Sequence, residues 1–362
     1  ITSSDLESHV SFLASPLLKG RLNGDEGLEI AGNYIASQAK KIGLIPGNNS
    51  SYFQSYKVIK KTTDYSKSSV KIVLNGKDTL LSDYPFMNLV PTGPDNFSAD
   101  GEVVFAGYGI KADKYGYNDF ENIKTEGKIL LILDRAPMNE DGSVCKFSEP
   151  GWKSDFNIQT KLTTLMFTKA KAILVVPDPK SGYSSIEESN PDIAGYLKSK
   201  NSLPGAKDEM ANPFMSSLPK VIFIHRNLAD ELLKGSGHDL ASLQRDIDNS
   251  MKNNSFTIEN KKLIINSVVK TGEMILKNVA AYIEGSDPVR KNEVVVFSGH
   301  YDHIGGSGDK IFTGADDDAS GCAALLEIAE AFQGMRKKPA RTILFLWVSG
   351  EEIGLLRSES CT

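Results

Sequence analysis

Cysteine is scarce in this sequence of 362 residues, and its scarcity excludes two kinds of architecture. Cys145, Cys322 and Cys361 are too few and too far apart for a disulfide framework or a cysteine-only zinc site. Cys322 falls within a helical pattern and reads as a small buried residue. Basic excess is missing as well. The formal net charge is −5 and no basic stripe stands out, which argues against a nucleic-acid partner. No apolar run reaches the roughly 20 residues that span a bilayer. There is no internal repeat and no low-complexity tract. The chain opens at Ile1 and not Met, as a processed or trimmed N-terminus would, and any signal peptide has then already gone. Cysteine usage by itself leaves the compartment open.

What is present is the composition of a globular protein, 40% hydrophobic and 24% charged. The length is too great for one ordinary core, so two compact units are expected. Ser4 or Asp5 stands where it could cap a first helix carrying Leu6, Val10 and Leu13. A second helix is predicted from about Glu26 to Ile42, with Leu28, Ala31, Ile35, Ala39 and Ile42 at spacings of three and four and Gly43 as the stop. From about Tyr56 the period changes to two. Residues 70–74, 101–107, 128–133, 172–176 and 221–225 are short β-branched runs bounded by Gly, Pro, Asn or Asp. Helical breaks are expected at 158–169 and 227–233. Residues 181–215, rich in Ser, Asn, Pro and Gly, read as a long, poorly ordered excursion. A β-rich insert is therefore expected over 56–255. Strands at 278–283, 293–298 and 342–349 with a helix at 320–332 predict an α/β sheet with crossover connections. With the N-terminal helices packed on it, that α/β unit comprises 1–55 and 256–362.

Three segments of this last part could carry chemistry. In the first, the apolar strand 294–297 runs through Ser298 and Gly299 into His300-Tyr301-Asp302-His303. Open α/β sheets place their ligand sites at the carboxyl ends of strands. In extended backbone His300 and Asp302 project to the same side, so Asp302 could orient the imidazole. The second, Gly314-Ala315-Asp316-Asp317-Asp318-Ala319-Ser320-Gly321, brings three adjacent aspartates into a helix start. Capping accounts for some acidity there, but three crowded carboxylates call for a cation. In the third, an apolar strand ends in Ser349-Gly350-Glu351-Glu352-Ile353-Gly354. Neighbouring side chains on extended backbone point in different directions, so one glutamate can bind metal while the other faces a water. Each segment alone is matched by a polar loop, a helix cap or a solvated turn. Together, at three consecutive element junctions, they are hard to explain as surface decoration.

The set His300-Tyr301-Asp302, 314–321 and 349–354 resembles the co-catalytic zinc aminopeptidases, the family of bacterial leucyl aminopeptidases and glutamate carboxypeptidase-like enzymes. Phe12-Leu13-Ala14-Ser15 with Gly20-Arg21 resembles that family's N-terminal element. More loosely, 103–109, 127–133 and 172–177 are similar to a protease-associated domain. The resemblance implies a zinc-dependent hydrolase of N-terminal peptide bonds, acting on peptides with a free N-terminus in the periplasm or outside the cell. It implies two zincs, with His300 on one, Glu352 on the other and Asp317 bridging. Glu351 would be the general base and Asp302 the partner of His300. It also implies a cis peptide between Asp317 and Asp318. His303, Asp316 and Asp318 receive no ligand role and read as loop, cap or outer-shell residues.

The family pattern calls for two more ligands downstream, an aspartate and then a histidine. Residues 353–362 contain neither, and Arg357 stands where glycine is expected. The expectation from sequence is thus a truncated chain with weak or absent zinc and impaired activity, and a sheet edge left open to oligomer contacts. The competing reading is a non-catalytic fragment or binding module centred on the protease-associated insert.

Overall fold

The structure, a computed structural model of the chain, describes residues 1–74, 77–80, 89–152, 158–206, 218–307 and 310–356. Cys361, Arg357 and the rest of 357–362 lie outside these residues, as does 207–215 of the expected excursion. The chain divides into two compact units. One comprises Ile1–Lys60, Asn201–Ala206 and Gly272–Thr362, the other Lys61–Lys200 and Lys207–Thr271.

In the first unit, helix Ser3–Leu13 begins ahead of both expected caps, Ser4 and Asp5. Thr2 is the cap: its hydroxyl accepts from the Asp5 amide at 3.3 Å, and the Asp5 carboxylate accepts from the Thr2 amide at 3.0 Å. Ser4 and Asp5 lie inside the first turn, Asp5 as the reciprocal member of the capping box. Helix Glu26–Ile42 buries Leu28, Ala31, Ile35 and Ala39 along one stripe and ends at Gly43. Both helices pack against helix Ser320–Gln333.

The sheet of this unit is mixed. Its order is Ser199–Ser202, Phe53–Thr63, Val269–Ile283, Thr342–Val348, Val294–His300, with the short strand Ile45–Pro46 beside Val269–Ile283. Thr342–Val348 runs antiparallel to Val269–Ile283 and parallel to Val294–His300. Helix Ser320–Gln333 is the crossover between the parallel pair, and Leu13, Ile35, Leu326, Phe345 and Trp347 meet in one core beneath it. The architecture is α/β with a mixed sheet and flanking helices, as the sequence predicts. Val294, Val295 and Val296 on the outermost strand are exposed.

The second unit holds an eight-stranded sheet, in the order Lys77–Leu80, Ser69–Leu74, Phe256–Ser267, Phe97–Phe105, Ile129–Leu133, Ala172–Val176, Lys220–Ile224, Leu89–Pro91. Its four strands from Phe97–Phe105 to Lys220–Ile224 are parallel. Ile129–Leu133 and Ala172–Val176 are buried residue by residue, because apolar clusters cover both faces. Helices Ile158–Met166, Arg226–Leu233 and Leu240–Ser250 contribute to those clusters. The unit is therefore richer in helix than its two-residue period suggests. Two expectations need correcting. The return to the first unit comes after residue 271, not 255, since Phe256–Ser267 pairs with Ser69–Leu74 and Phe97–Phe105. The stretch 181–206 is not unstructured: it forms helices Ile186–Ser189 and Pro191–Leu197 and strand Ser199–Ser202. Pro191 suits a first helical position, and Ile186 and Ala194 are buried. No helix among the described residues is long and apolar enough to cross a membrane.

Candidate metal centre

Parallel pairing sets up the site. His300 is in register with Val348, so the two strands deliver His300 and the Ser349–Glu352 turn to the same end of the sheet. Between them the chain enters helix Ser320–Gln333 through the segment Ala315–Ala319, where the Asp317–Asp318 peptide is cis. Asp318 turns inward and accepts from the amides of Gly321, at 2.9 Å, and His300, at 3.1 Å. A side chain at Gly321 would meet Asp318 Oδ1 at 2.1 Å, so glycine is what admits this cap. Asp317 is left facing outward, exposed.

The result is convergence. Ligand atoms of His300, Asp317 and Glu352 all lie within 4.8 Å of one another. His300 Nε2 is 2.9 Å from Asp317 Oδ1 and 3.9 Å from Glu351 Oε2. The other ring nitrogen, Nδ1, is 3.2 Å from the Asp302 carbonyl and 3.8 Å from its carboxylate. Asp302 is fully buried and accepts from Asn23 Nδ2 at 2.6 Å, the Glu352 amide at 3.1 Å and the Glu351 amide at 3.3 Å. It thus ties the turn carrying the glutamates to the loop carrying the histidine.

These contacts state what the centre needs. A backbone carbonyl can only accept, so the Asp302 contact puts the imidazole proton on Nδ1 and leaves a lone pair at Nε2. That lone pair faces a carboxylate oxygen at 2.9 Å. Two lone pairs hold that separation only with a cation between them, either a second ring proton or a metal. Burial works against charge on His300, yet the carboxylates of Asp302, Glu351 and Asp318 outweigh it, and its pKa is raised. Burial raises Glu351, and Glu352, Asp302 and Asp317 add to that against the pull of His300. A histidine and two carboxylates form a donor set of the kind zinc takes. The residues fit that ion.

Sequence reasoning left two features unspecified here. The first is His303: its Nδ1 lies 2.7 Å from Glu352 Oε1, so of the roles the sequence left open for it, contact with a candidate ligand from outside is the one seen. The second is the segment Gly20 to Asn23. Its Arg21 and Asn23 side chains reach residues about 280 to 330 positions away. Only the Gly20-Arg21 pair had carried a signal, through the N-terminal resemblance, and Asn23 had none.

Residues 278–362 match the sequence profile of peptidase family M28. A probable zinc metalloprotease of Pyricularia oryzae is 43% identical over 89 residues, 23% of this chain and 16% of that protein. A probable leucine aminopeptidase of Arthroderma otae is 37% identical over 78 residues, 20% of this chain and 22% of the other. The chain thus aligns with less than a quarter of either relative. Among solved structures, an aminopeptidase from Aneurinibacillus sp. strain AM-1 superposes with a TM-score of 0.45 at 16% identity, covering 98% of this chain and 64% of its own. BSAP, a zinc aminopeptidase from Bacillus subtilis, gives 0.41 at 16% identity, covering 97% and 62%.

Proposed function

From the match of residues 278–362 to peptidase family M28, we propose that the protein is a zinc aminopeptidase, hydrolysing the first peptide bond of substrates with a free N-terminus. One observation carries the reading: His300, Asp317 and Glu352, from three separate segments, bring their ligand atoms within 4.8 Å. His300 and Glu352 would each hold one of two zinc ions and Asp317 would be shared between them. When bound, zinc acidifies water and polarises a carbonyl oxygen.

The chain's own groups do the rest. Glu351 stands beside the ligands, 3.9 Å from His300 Nε2, with its side chain about one-third exposed. It is placed to take the proton of the attacking water and return it to the leaving nitrogen. Asp302, through the Asp302 carbonyl at Nδ1 and its own buried carboxylate, holds the His300 ring and the Glu351–Glu352 backbone in one arrangement. The second unit we read as a protease-associated domain, and the working compartment as periplasmic or extracellular.

Zinc takes about four ligands, and three side chains converge here among the described residues. The polypeptide of these 362 residues is accordingly expected to hold zinc weakly and turn over slowly. Hydrolysis of aminoacyl chromogenic substrates, with and without added zinc, tests the assignment. Zinc-dependent release that Glu351→Gln abolishes supports it. Release unaffected by zinc or by that substitution refutes it, and complete absence of both hydrolysis and zinc uptake favours a binding module.

A further inference from the structure

Three segments carry the candidate ligands, and one short stretch near the N-terminus touches all of them. The carbonyls of Gly20 and Arg21 accept from the amides of Gly305 and His303, each at 3.1 Å. Leu22 forms a parallel bridge with His303. The approach is close enough to dictate the residue: a side chain at Gly20 would lie 2.3 Å from the Gly305 carbonyl oxygen and 2.4 Å from that of Phe312, at a φ of +71°. From this anchored backbone two side chains fan out. The fully buried guanidinium of Arg21 donates to the carbonyls of Tyr301 at 2.8 Å, Thr313 at 2.7 Å and Gly314 at 2.9 Å, and also to Leu13. It therefore joins the histidine loop to the aspartate loop. Asn23, also buried, donates to Asp302 Oδ2 at 2.6 Å and accepts from the Gly350 amide at 3.1 Å. It joins the histidine loop to the glutamate turn.

These contacts are directed at the backbone and at Asp302, not at apolar surface; Leu22, between the two, stays partly exposed. A rigid planar fork on Arg21 and an amide that both donates and accepts on Asn23 define positions more than they bury area. We propose that Gly20–Asn23 is a positioning clamp, holding the histidine loop, the aspartate loop and the glutamate turn in their ligand-ready arrangement before any metal arrives. This rests on reading His300, Asp317 and Glu352 as ligands, and metal affinity depends on such preorganisation.

Amide hydrogen exchange of the full chain in chelator tests the clamp without metal. In Asn23→Ala, exchange at Gly350, Glu351 and Glu352 should quicken about tenfold or more, while the strand Thr342–Val348 keeps its protection. Asn23→Asp retains the acceptor for the Gly350 amide but sets a carboxylate against Asp302. It should leave Gly350 protected and release Glu351 and Glu352. Zinc affinity, by competition with a chromophoric chelator, should fall about 10- to 100-fold in both variants and in Arg21→Lys, whose single ammonium lacks the planar fork that reaches four separated carbonyls. Exchange unchanged at the three turn amides, quickening spread equally over the strand, or zinc affinity equal to that of the parent chain would each overturn the clamp. If the parent chain takes up no zinc, the ligand reading fails, and the exchange pattern alone decides the clamp. Should Arg21→Lys not fold, the Asn23 variants still decide.

Discussion

Asp302 is where the structure makes its sharpest demand, and replacing it gives a magnitude that can be worked from the contacts. The carboxylate is fully buried and satisfies three donors: the Asn23 amide group and the backbone N–H groups of Glu351 and Glu352. In Asp302→Ala all three lose their partner. A buried donor left unsatisfied costs about 1–3 kcal/mol. Asn23 is buried and incurs that in full, whereas Glu351 and Glu352 are half-buried and recover part of it from water. The sum is about 2–5 kcal/mol, a large share of the 5–15 kcal/mol typical of a folded domain. Asp302→Asn keeps one acceptor oxygen and turns the other into a donor facing a donor, for about 1–3 kcal/mol. Trp347, buried in the adjacent strand, reports this unit when Trp152 of the second unit is replaced by Phe. Urea unfolding followed by its fluorescence, in chelator so that metal loss plays no part, should order the proteins parent, Asn, Ala at an unchanged slope. If both variants unfold within about 0.5 kcal/mol of the parent, as an ordinary surface change would, the argument from buried donors is wrong.

Three further outcomes follow from the same contacts. Glu351→Gln should lower kcat by about 10²- to 10⁴-fold with zinc content unchanged if, as proposed, it removes a base and not a ligand; matching loss of zinc and turnover would make it a ligand instead. With three ligand side chains converging among the described residues, dialysed protein should carry well under two zincs per chain by elemental analysis, and two tightly held ions would refute this expectation. In the second unit, burial raises the Asp119 carboxyl from its usual 3.8 to about 7, against hydrogen bonds from Tyr117, Ile110 and Tyr108. Between those values the folded chain keeps a proton the unfolded chain has released, so stability falls as pH rises. The advantage of the parent over Asp119→Asn should then shrink between pH 4 and 7, by up to about 1.4 kcal/mol per unit, and a constant difference in urea midpoints would contradict it.

The segments carrying the candidate ligands were legible because each is local. Apolar residues 294–297 followed by glycine and histidine mark a strand end, and 343–348 before Gly350-Glu351-Glu352 mark another. Helix Ser320–Gln333 between them is the connection that two parallel strands require, so the two ends had to fall on one side of the sheet. The three aspartates stood out because capping does not need so many. The helix Glu26–Ile42 was equally plain, since its apolar spacing and its final glycine are both short-range signals.

What escaped was long-range or reciprocal. Strand Phe256–Ser267 has the same alternation whichever sheet it joins, and only its pairing with Val70 and Ile72, nearly 200 residues earlier, assigns it to the second unit. Thr2 caps a helix that Ser4 or Asp5 was equally suited to begin, and the decision lies in the Asp5 carboxylate reaching back to the Thr2 amide. Asn23 is the plainest case. In a loop written Gly-Arg-Leu-Asn-Gly, an asparagine is an ordinary turn residue. Its amide becomes informative only when Asp302 and Gly350 stand on either side of it, 2.6 and 3.1 Å away. Where a side chain's partner is a backbone group, as the Gly350 amide is for Asn23, no complementary residue type is there for a reader of the sequence to find. Arg21 has the same property four times over, since every acceptor of its guanidinium is a carbonyl that any amino acid would supply. The chemistry of the centre was therefore written in residue types, while the geometry that gathers it was written in backbone positions.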